Sequence, residues 1–409
     1  MSIEVRNART DEYAAALEVI SSAFLERPDV TRVAAWVGDH WDADRTWVAF
    51  DGGRACGTFR STGTDLTVPG GGSLPAAAVS AVTVLPTHRR RGILTAMGAR
   101  AHAALRERGD AVAILYSSAY PIYGRFGYGP ATRTGTLILD ARTTGFHGPP
   151  VAGMELVTAD AAVVSAVAGV HEAWRVRQAG EIRRRPVSWD VRLGLEEDPW
   201  DGRWKGFVAL HRDAAGDVDG YVRYRAQPKW EDREARGVLA VDDLLALNDA
   251  AYAALWRFLA EVDLVATVNA EGRPVSERLP WLLTNARAAR LTDVGDALWV
   301  RVFDVARALE ARSWERSGSL VLEVIDDSVA GGRSRVVLDA SPDGATCRPT
   351  DGTPDLSVPV AAIGAAYLGG TRLRDAAVAT GFDEHRAGAL AAADGMFKSG
   401  EEPWCSTHF

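Results

Sequence analysis

The chain has 409 residues, 47% of them apolar or aromatic, and a formal net charge of −8. That length exceeds what a single core sustains, so two or three domains are expected, and the acidic balance argues against nucleic acid as the main partner, because phosphate binding needs a basic face. A small cationic partner suits such a field better.

The opening "MSIEVRNARTDEY" places charges where a secretory signal would need an apolar stretch. The longest uncharged apolar run, Leu356 to Gly370, is interrupted by Pro359 and falls short of the ~20 residues that span a bilayer. A soluble, cytoplasmic protein without membrane contact is therefore expected. Cys56, Cys347 and Cys405 are far apart and follow no CxxC spacing, so neither a disulfide framework nor a metal site is expected. Among 46 basic residues only Lys205, Lys229 and Lys398 are lysines.

"IEVRNA" reads as a short strand. Thr10 then offers a cap for a helix with Asp11 and Glu12 in its first turn, where negative charge suits the helix dipole. Leu17, Ile20, Phe24 and Leu25 recur near helical spacing until Pro28. "TWVAFDGGRACGTFRST" carries a hairpin signal around Asp51-Gly52-Gly53. "AAAVSAVTVLP" reads as a buried strand ending at Pro86, Gly92 to Arg108 as a helix stopped by Gly109, and "AVAILYSS" as the next strand.

Between that strand and helix lies "PTHRRRGILTAM". On its own, the run reads as a solvated basic helix start. Its position favours another reading: a buried strand, three consecutive arginines, a glycine and a helix bring guanidinium groups, free backbone N–H groups and the helix dipole to one point. Such a point is a cradle for an anion such as pyrophosphate. Neither the P-loop pattern nor GxGxxG is present.

"TTGFHGPPVAG" is punctuated like a linker. The first segment's order then returns, as a helix around Ala161 to Gln178, a hairpin in "KGFVALHRDAAGDVDGYVRYRA", a strand in "ARGVLAVDDLLAL", a helix from Asn248 to Glu261 and a strand in "DLVATV". Where the first copy carries Arg89, Arg90, Arg91 and Gly92, the second has "LLALNDAAYAAL", which indicates a duplication whose second copy lacks the anion cradle. From about Leu291 the runs "SGSLVLEVIDD", "SRVVLDAS" and "DLSVPVAAIG", with alanine-rich helices, read as an α+β third domain. The chain ends on "MFKSGEEPWCSTHF", an aromatic terminus where mobile polar residues are usual.

The strand "VSAVTVLP", the cradle "THRRRGI", the hairpin "SSAYPIYGRFGYGP" and the terminal "MFKSGEEPWCSTHF" together resemble the enhanced intracellular survival (Eis) family within the GNAT superfamily of N-acetyltransferases. The GNAT cofactor motif, Arg or Gln, two residues, Gly, one residue, then Gly or Ala, is met at Arg89 and Gly92 and departs at Leu94. The resemblance implies mixed α/β domains: a catalytic GNAT domain over about 1–150, a GNAT-like domain without a cofactor site over 151–290, and a sterol-carrier-like domain over 291–409 whose C-terminus reaches the active site. It also implies acetyl-CoA as co-substrate with no metal, and a homo-hexamer. The backbone of Val82, Thr83 and Val84 would hold the pantetheine and acetyl carbonyl. Arg89, Arg90, Arg91, Gly92 and Ile93 would hold the pyrophosphate, with Ser118 a further contact.

For an N-acetyltransferase that works by direct amine attack, Tyr123 is the candidate acid for the departing thiolate, since a phenol of pKa about 10 is protonated at neutral pH. Tyr116, Tyr120 and Tyr128 lie nearby in sequence, and Cys56 and His88 are not read as catalytic. The resemblance further implies that the free carboxylate of Phe409 is the base, and that Phe24, Glu26 and Trp36 line a pocket for a small cationic amine, aminoglycosides leading. His408 stands where relatives can carry an acid. Protein lysine as acceptor and a non-catalytic CoA- or lipid-binding role are the alternatives.

Overall fold

The computed structural model describes residues 3–150, 152–329 and 331–409. Val151, inside the linker read from the sequence, lies outside the described residues, as do Met1 and Ser2 of the opening segment. The chain divides into two compact units, the first made of Met1–Thr132, Ala297–Glu401 and His408–Phe409, the second of Arg133–Asp296 and Glu402–Thr407.

The first unit begins with β1 (Ile3–Asn7), α1 (Tyr13–Phe24), α2 (Val30–His40), β2 (Thr46–Asp51), β3 (Arg54–Thr67), β4 (Ser73–Val84), α3 (Ile93–Glu107) and β5 (Val112–Tyr116). Thr10–Glu12 is a separate 3-10 turn that precedes α1 rather than its capped start. Gly52 and Gly53, at φ 58° and 81°, make the left-handed two-residue turn that joins β2 to β3. At the end of α1, Leu25 adopts φ 63°. Leu17 and Ile20 are buried, while Phe24, the last residue of the helix, and Leu25 beyond it are exposed.

In its main sheet the strand order is β1, β2, β3, β4, β5, Leu298–Val302 and β6 (Gly129–Pro130). The strand Leu298–Val302 runs antiparallel to β5 along its whole length, from Leu298 opposite Tyr116 to Val302 opposite Val112. The next strand after β6, β7 (Arg133–Asp140), belongs instead to the second unit, where it pairs with Val265–Pro274 and Ala289–Asp296. Sheet membership therefore changes at Thr132 and at Ala297, whereas the linker-based reading puts the changes near 150 and 290.

The rest of the first unit holds a five-stranded sheet, including Gly318–Ile325, Arg333–Ser341, Gly344–Pro349 and Leu356–Pro359, with helices Val305–Ala311, Val360–Ala366 and Ala389–Phe397. "DLSVPVAAIG" divides at Pro359, after which the chain is helical. In the second unit, helix Ala161–Arg175 and helix Asp249–Ala260 accompany a seven-stranded sheet. Its strands Phe207–Arg212, Val218–Gln227 and Gly237–Ala246 follow the order that repeats the first segment. No helix among the described residues is long and apolar enough to cross a membrane.

Candidate active site

The site begins where β4 and β5 part. They pair in parallel only at Ala76–Val112, Ala77–Ala113 and Ala78–Ile114, and β4 then runs on to Val84 without β5 beside it. A register shift in the β3 pairing falls between Thr58 and Arg60, and Ala81 there takes φ 49°, a left-handed conformation for a residue with a Cβ. This is a β-bulge, which bends its strand and redirects the residues that follow. The Thr58 hydroxyl donates to the Ala81 carbonyl at 2.7 Å and lies 2.5 Å from the Thr83 hydroxyl, closing the bulge on the β3 side.

Leu85 N–H donates to the Cys56 carbonyl at 2.9 Å. With the alternation of an antiparallel ladder, that bond turns the backbone of Thr83 and Leu85 toward β3 and the backbone of Val82 and Val84 to the open side. Strand edges of this kind accept an extended partner through main-chain hydrogen bonds. Arg89 Nε donates to the Val84 carbonyl at 3.4 Å.

Beyond Pro86–His88, Arg90 (φ 63°) and Gly92 (φ 77°) are both left-handed, and Gly92 is the N-cap of α3 without a side-chain cap. Ala96 N–H is the first to fold back, reaching the Gly92 carbonyl at 3.0 Å, which leaves the N–H groups of Ile93, Leu94 and Thr95 without acceptors inside the helix. A Cβ on Gly92 would meet nothing within 4 Å, so glycine is required there by backbone conformation and not by space. The three arginines differ. All three are exposed, but Arg91 also donates to Asp51 Oδ2 at 2.9 Å, with His88 Nε2 3.5 Å from the same oxygen. Arg91 and His88 thus tie the loop to the β2–β3 turn. Leu94, where the motif calls for a small residue, packs on the apolar core under the loop.

That core also holds Tyr123, and Val82, Val84, Leu94 and Ile122 pack against it. The Tyr123 ring is 7% exposed and meets Tyr128 edge-on at 6.0 Å. Burial pushes its phenol above the ordinary 10, which keeps the proton on the oxygen. Tyr128 is still more deeply buried and its hydroxyl is held by His102 Nε2 at 3.0 Å, while Tyr120 is exposed and rests edge-on against Trp299. Ser118, after β5, is exposed; the Oγ of its neighbour Ser117 is buried with no hydrogen-bond partner among the described residues. The Cys56 thiol is pushed up by burial and donates to the Ala49 carbonyl at 3.3 Å, a packed and unreactive state.

At the far end of the chain, His408 stacks on Tyr116 with ring centres 4.6 Å apart, and Phe409 lies 5.2 Å from the same ring. Tyr116 is the last residue of β5. Within the second unit, Trp404 donates from its backbone to the Ala179 carbonyl at 2.9 Å and from its indole to Gly272 at 2.7 Å. Of the acceptor candidates, Phe24 and Glu26 are exposed and Trp36 is half-buried, stacked on His40 at 4.0 Å. Asp29 caps α2 by accepting from the N–H groups of Thr31 and Arg32 at 3.1 and 3.2 Å, a structural role.

The bulge at Ala81 has no sequence signal, since nothing distinguishes that alanine from its neighbours in "PAAAVSAVTV". Tyr116 as the platform for the C-terminus is equally silent in the sequence. No grouping of three or more metal-ligating side chains occurs among the described residues.

The chain is similar to known proteins along its whole length. Models of an acetyltransferase (GNAT) domain match residues 4–131 and 180–302, and a sterol carrier protein domain matches 305–406. An uncharacterised N-acetyltransferase of Streptomyces griseus is 40% identical over 420 residues, covering 100% of both chains. The N-acetyltransferase Eis of Mycobacterium bovis is 37% identical over 324 residues, 77% of this chain and 76% of that one. The crystal structure of Eis1 from Mycobacterium abscessus superposes with a TM-score of 0.85 at 34% identity, covering 99% of this chain and 100% of the other. With its two GNAT domains and its sterol-carrier-like domain, the chain belongs to the Eis-type N-acetyltransferases of the GNAT superfamily.

Proposed function

We propose that the protein transfers acetyl from acetyl-CoA to amino groups of aminoglycosides or similar polyamines by direct attack. The observation that carries this reading is the open backbone edge at Val82 and Val84, beside the uncapped N-terminus of α3, in one core with a buried, protonated Tyr123.

In this reading Val82 and Val84 take the pantetheine as an added strand and donate to the carbonyl oxygen as it gains charge, with Thr83 holding the bulge behind them. Arg89, Arg90 and the amides after Gly92, beginning with Ile93, hold the pyrophosphate. Arg91 fixes the loop through Asp51, and Ser118 supplies a further cofactor contact. The amine lone pair attacks the thioester carbon, a C–N bond forms and the C–S bond breaks. Tyr123 gives its proton to the departing sulfur. The Phe409 carboxylate takes the proton lost by the amine, through water, because a carboxyl of ordinary pKa about 3.3–3.7 is a weak base. Phe24, Glu26 and Trp36 receive the cationic acceptor by charge and by contact with aromatic faces. A homo-hexamer and a cytoplasmic location belong to the same reading, and the molar mass in solution checks the first.

The test is free-thiol release from acetyl-CoA with an aminoglycoside, a linear polyamine and a lysine peptide. Turnover with the first two supports the reading. Turnover with the peptide alone makes protein lysine the acceptor, and CoA binding with no turnover on any amine overturns the enzymatic reading.

A further inference from the structure

Side chains alternate between the two faces of a strand. Ala113 and Leu115 belong to the core that holds Tyr123, so Ile114 and Tyr116 of β5 turn to the opposite face. β5 pairs with β4 no further than Ile114, which puts Tyr116 beside the stretch where β4 runs alone, while Leu298 pairs with it from the other side. On the Tyr116 ring lie the last two residues of the chain, the His408 imidazole at 4.6 Å with 29° between the planes and the Phe409 ring at 5.2 Å and 50°. Tyr116 and Phe409 are half-buried and His408 is exposed. The imidazole therefore has the phenol on one face and water within reach. All of these groups belong to the first unit.

Packing alone does not call for a histidine here. Phe409 shows that a hydrocarbon ring rests on the same phenol, and an apolar ring makes the same stacked contact. What the imidazole adds is a nitrogen that accepts a proton near neutral pH. Attack by an amine on a thioester releases one proton from the nitrogen. A carboxyl of ordinary pKa about 3.3–3.7 holds a proton at pH 7 in only about one molecule in several thousand, so the Phe409 carboxylate can pass a proton on but does not keep it. An imidazole of ordinary pKa about 6.5 is mostly neutral at pH 7 and takes that proton downhill. The two groups are on consecutive residues, whose Cα atoms stand about 3.8 Å apart, and both rings are held by one tyrosine.

We propose that His408 is the next proton acceptor after the Phe409 carboxylate: its imidazole takes the proton that the amine loses and gives it to solvent. This rests on the reading of acetyl transfer to an amine with the chain end as base. In the step, the amine N–H bond breaks as the C–N bond forms, and the proton crosses water and the carboxylate to an imidazole nitrogen. The C–S electron pair leaves with the sulfur, which Tyr123 protonates. One proton leaves through His408 and one returns from solvent to Tyr123, so the site ends the cycle as it began. Tyr123 lies in the core on one face of β5 and His408 on the Tyr116 ring at the other, so the two proton paths do not cross.

His408→Phe keeps a ring on Tyr116 and removes the nitrogens, whereas His408→Ala removes both. In full-length chains, kcat, acetyl-CoA KM and melting temperature of the two variants are compared with those of the native chain and of a chain extended past Phe409, with an aminoglycoside as acceptor. kcat should fall about a hundred-fold in both variants, the scale of a proton-transfer group, with KM and melting of His408→Phe unchanged. Imidazole added to the buffer should restore His408→Ala in proportion to its concentration and leave His408→Phe slow, because the phenyl ring fills the place. A native kcat in His408→Phe, with the extended chain inactive, overturns the relay and leaves the carboxylate reading standing. Loss of kcat in His408→Ala alone reduces His408 to a stacking contact and overturns the relay as well. A native chain that turns over no amine overturns the underlying reading, and the relay falls with it.

Discussion

Tyr123 and Gly92 show how much a single residue decides here. Tyr123 is legible in "YGRFGY" because a tyrosine opening that Gly-containing segment after β5 fits the family pattern, but its state is not: only the folded core raises the phenol above its ordinary value of 10. Tyr123→Phe keeps the ring and removes the proton, so kcat should fall by about a hundred-fold, a typical general-acid effect, while CoA binding is retained; thiol release and CoA titration measure the two. Because the folded value is raised, the acid stays protonated through neutral and mildly alkaline pH. The rate should therefore rise with pH as the acceptor amine loses its proton, with no fall below the ordinary phenol value. Gly92→Ala meets open space but must hold φ 77°, at a cost of about 1 kcal/mol. That should weaken acetyl-CoA binding several-fold with little change in kcat, as read from a KM series.

At the scale of elements, the strands and helices around the site follow from patterns that survive in the sequence. The Gly52-Gly53 turn, the run into Pro86 and the Gly109 stop each have a local cause, and each stands where its residues put it. Thr10 shows where local reasoning ends: its cap signal is real, but the helix proper starts at Tyr13, because the first turn is drawn into contacts of Glu12 with Arg6 and the Arg9 N–H. The bulge at Ala81 is settled by pairing with β3, a long-range fact that no run of alanines and valines announces. The buried Glu181 carboxylate is hidden in part for the same reason, since it accepts from the N–H and hydroxyl of Ser406, 225 residues along the chain. It has a pH signature. Burial alone would raise the Glu181 carboxyl, yet His171 and Arg184 hold it down to about 2, below its ordinary 4.5. A carboxyl depressed on folding contributes stability that is complete above its unfolded value and is lost as pH falls through the folded one. Melting temperature should therefore drop as pH is lowered from about 5 toward 2, and Glu181→Gln, less stable at neutral pH, should show a flatter profile over that window.

For the whole molecule, the repeat of element order in residues 151–290 is legible because hydrophobic runs and punctuation recur, and domain matches fall on both halves. The exchange of strands is not legible. "RTGTLILD" alternates like a half-buried strand and "LWVRV" is buried along its whole length, and proximity in sequence favours pairing each with its own segment. Instead β7 joins the sheet of the second unit and Leu298–Val302 joins that of the first. A fragment of residues 1–150 would leave β5 with an open edge and β7 with no partner, a state prone to aggregate. Such a fragment should give little soluble protein and no cooperative melt, whereas the full chain gives both; soluble yield and a thermal scan decide it.

The central claim is that an acetyl group passes to an amine at a site built from the β4 edge, the α3 N-terminus, Tyr123 and the free end of the chain. Thiol release from acetyl-CoA with an aminoglycoside, run side by side on the native chain and on one extended past Phe409, tests it most directly. The account predicts turnover by the native chain and loss of turnover, with CoA binding kept, in the extended one. Equal turnover by both would contradict the role given to the terminal carboxylate, and no turnover by either, with CoA bound, would contradict the choice of acceptor.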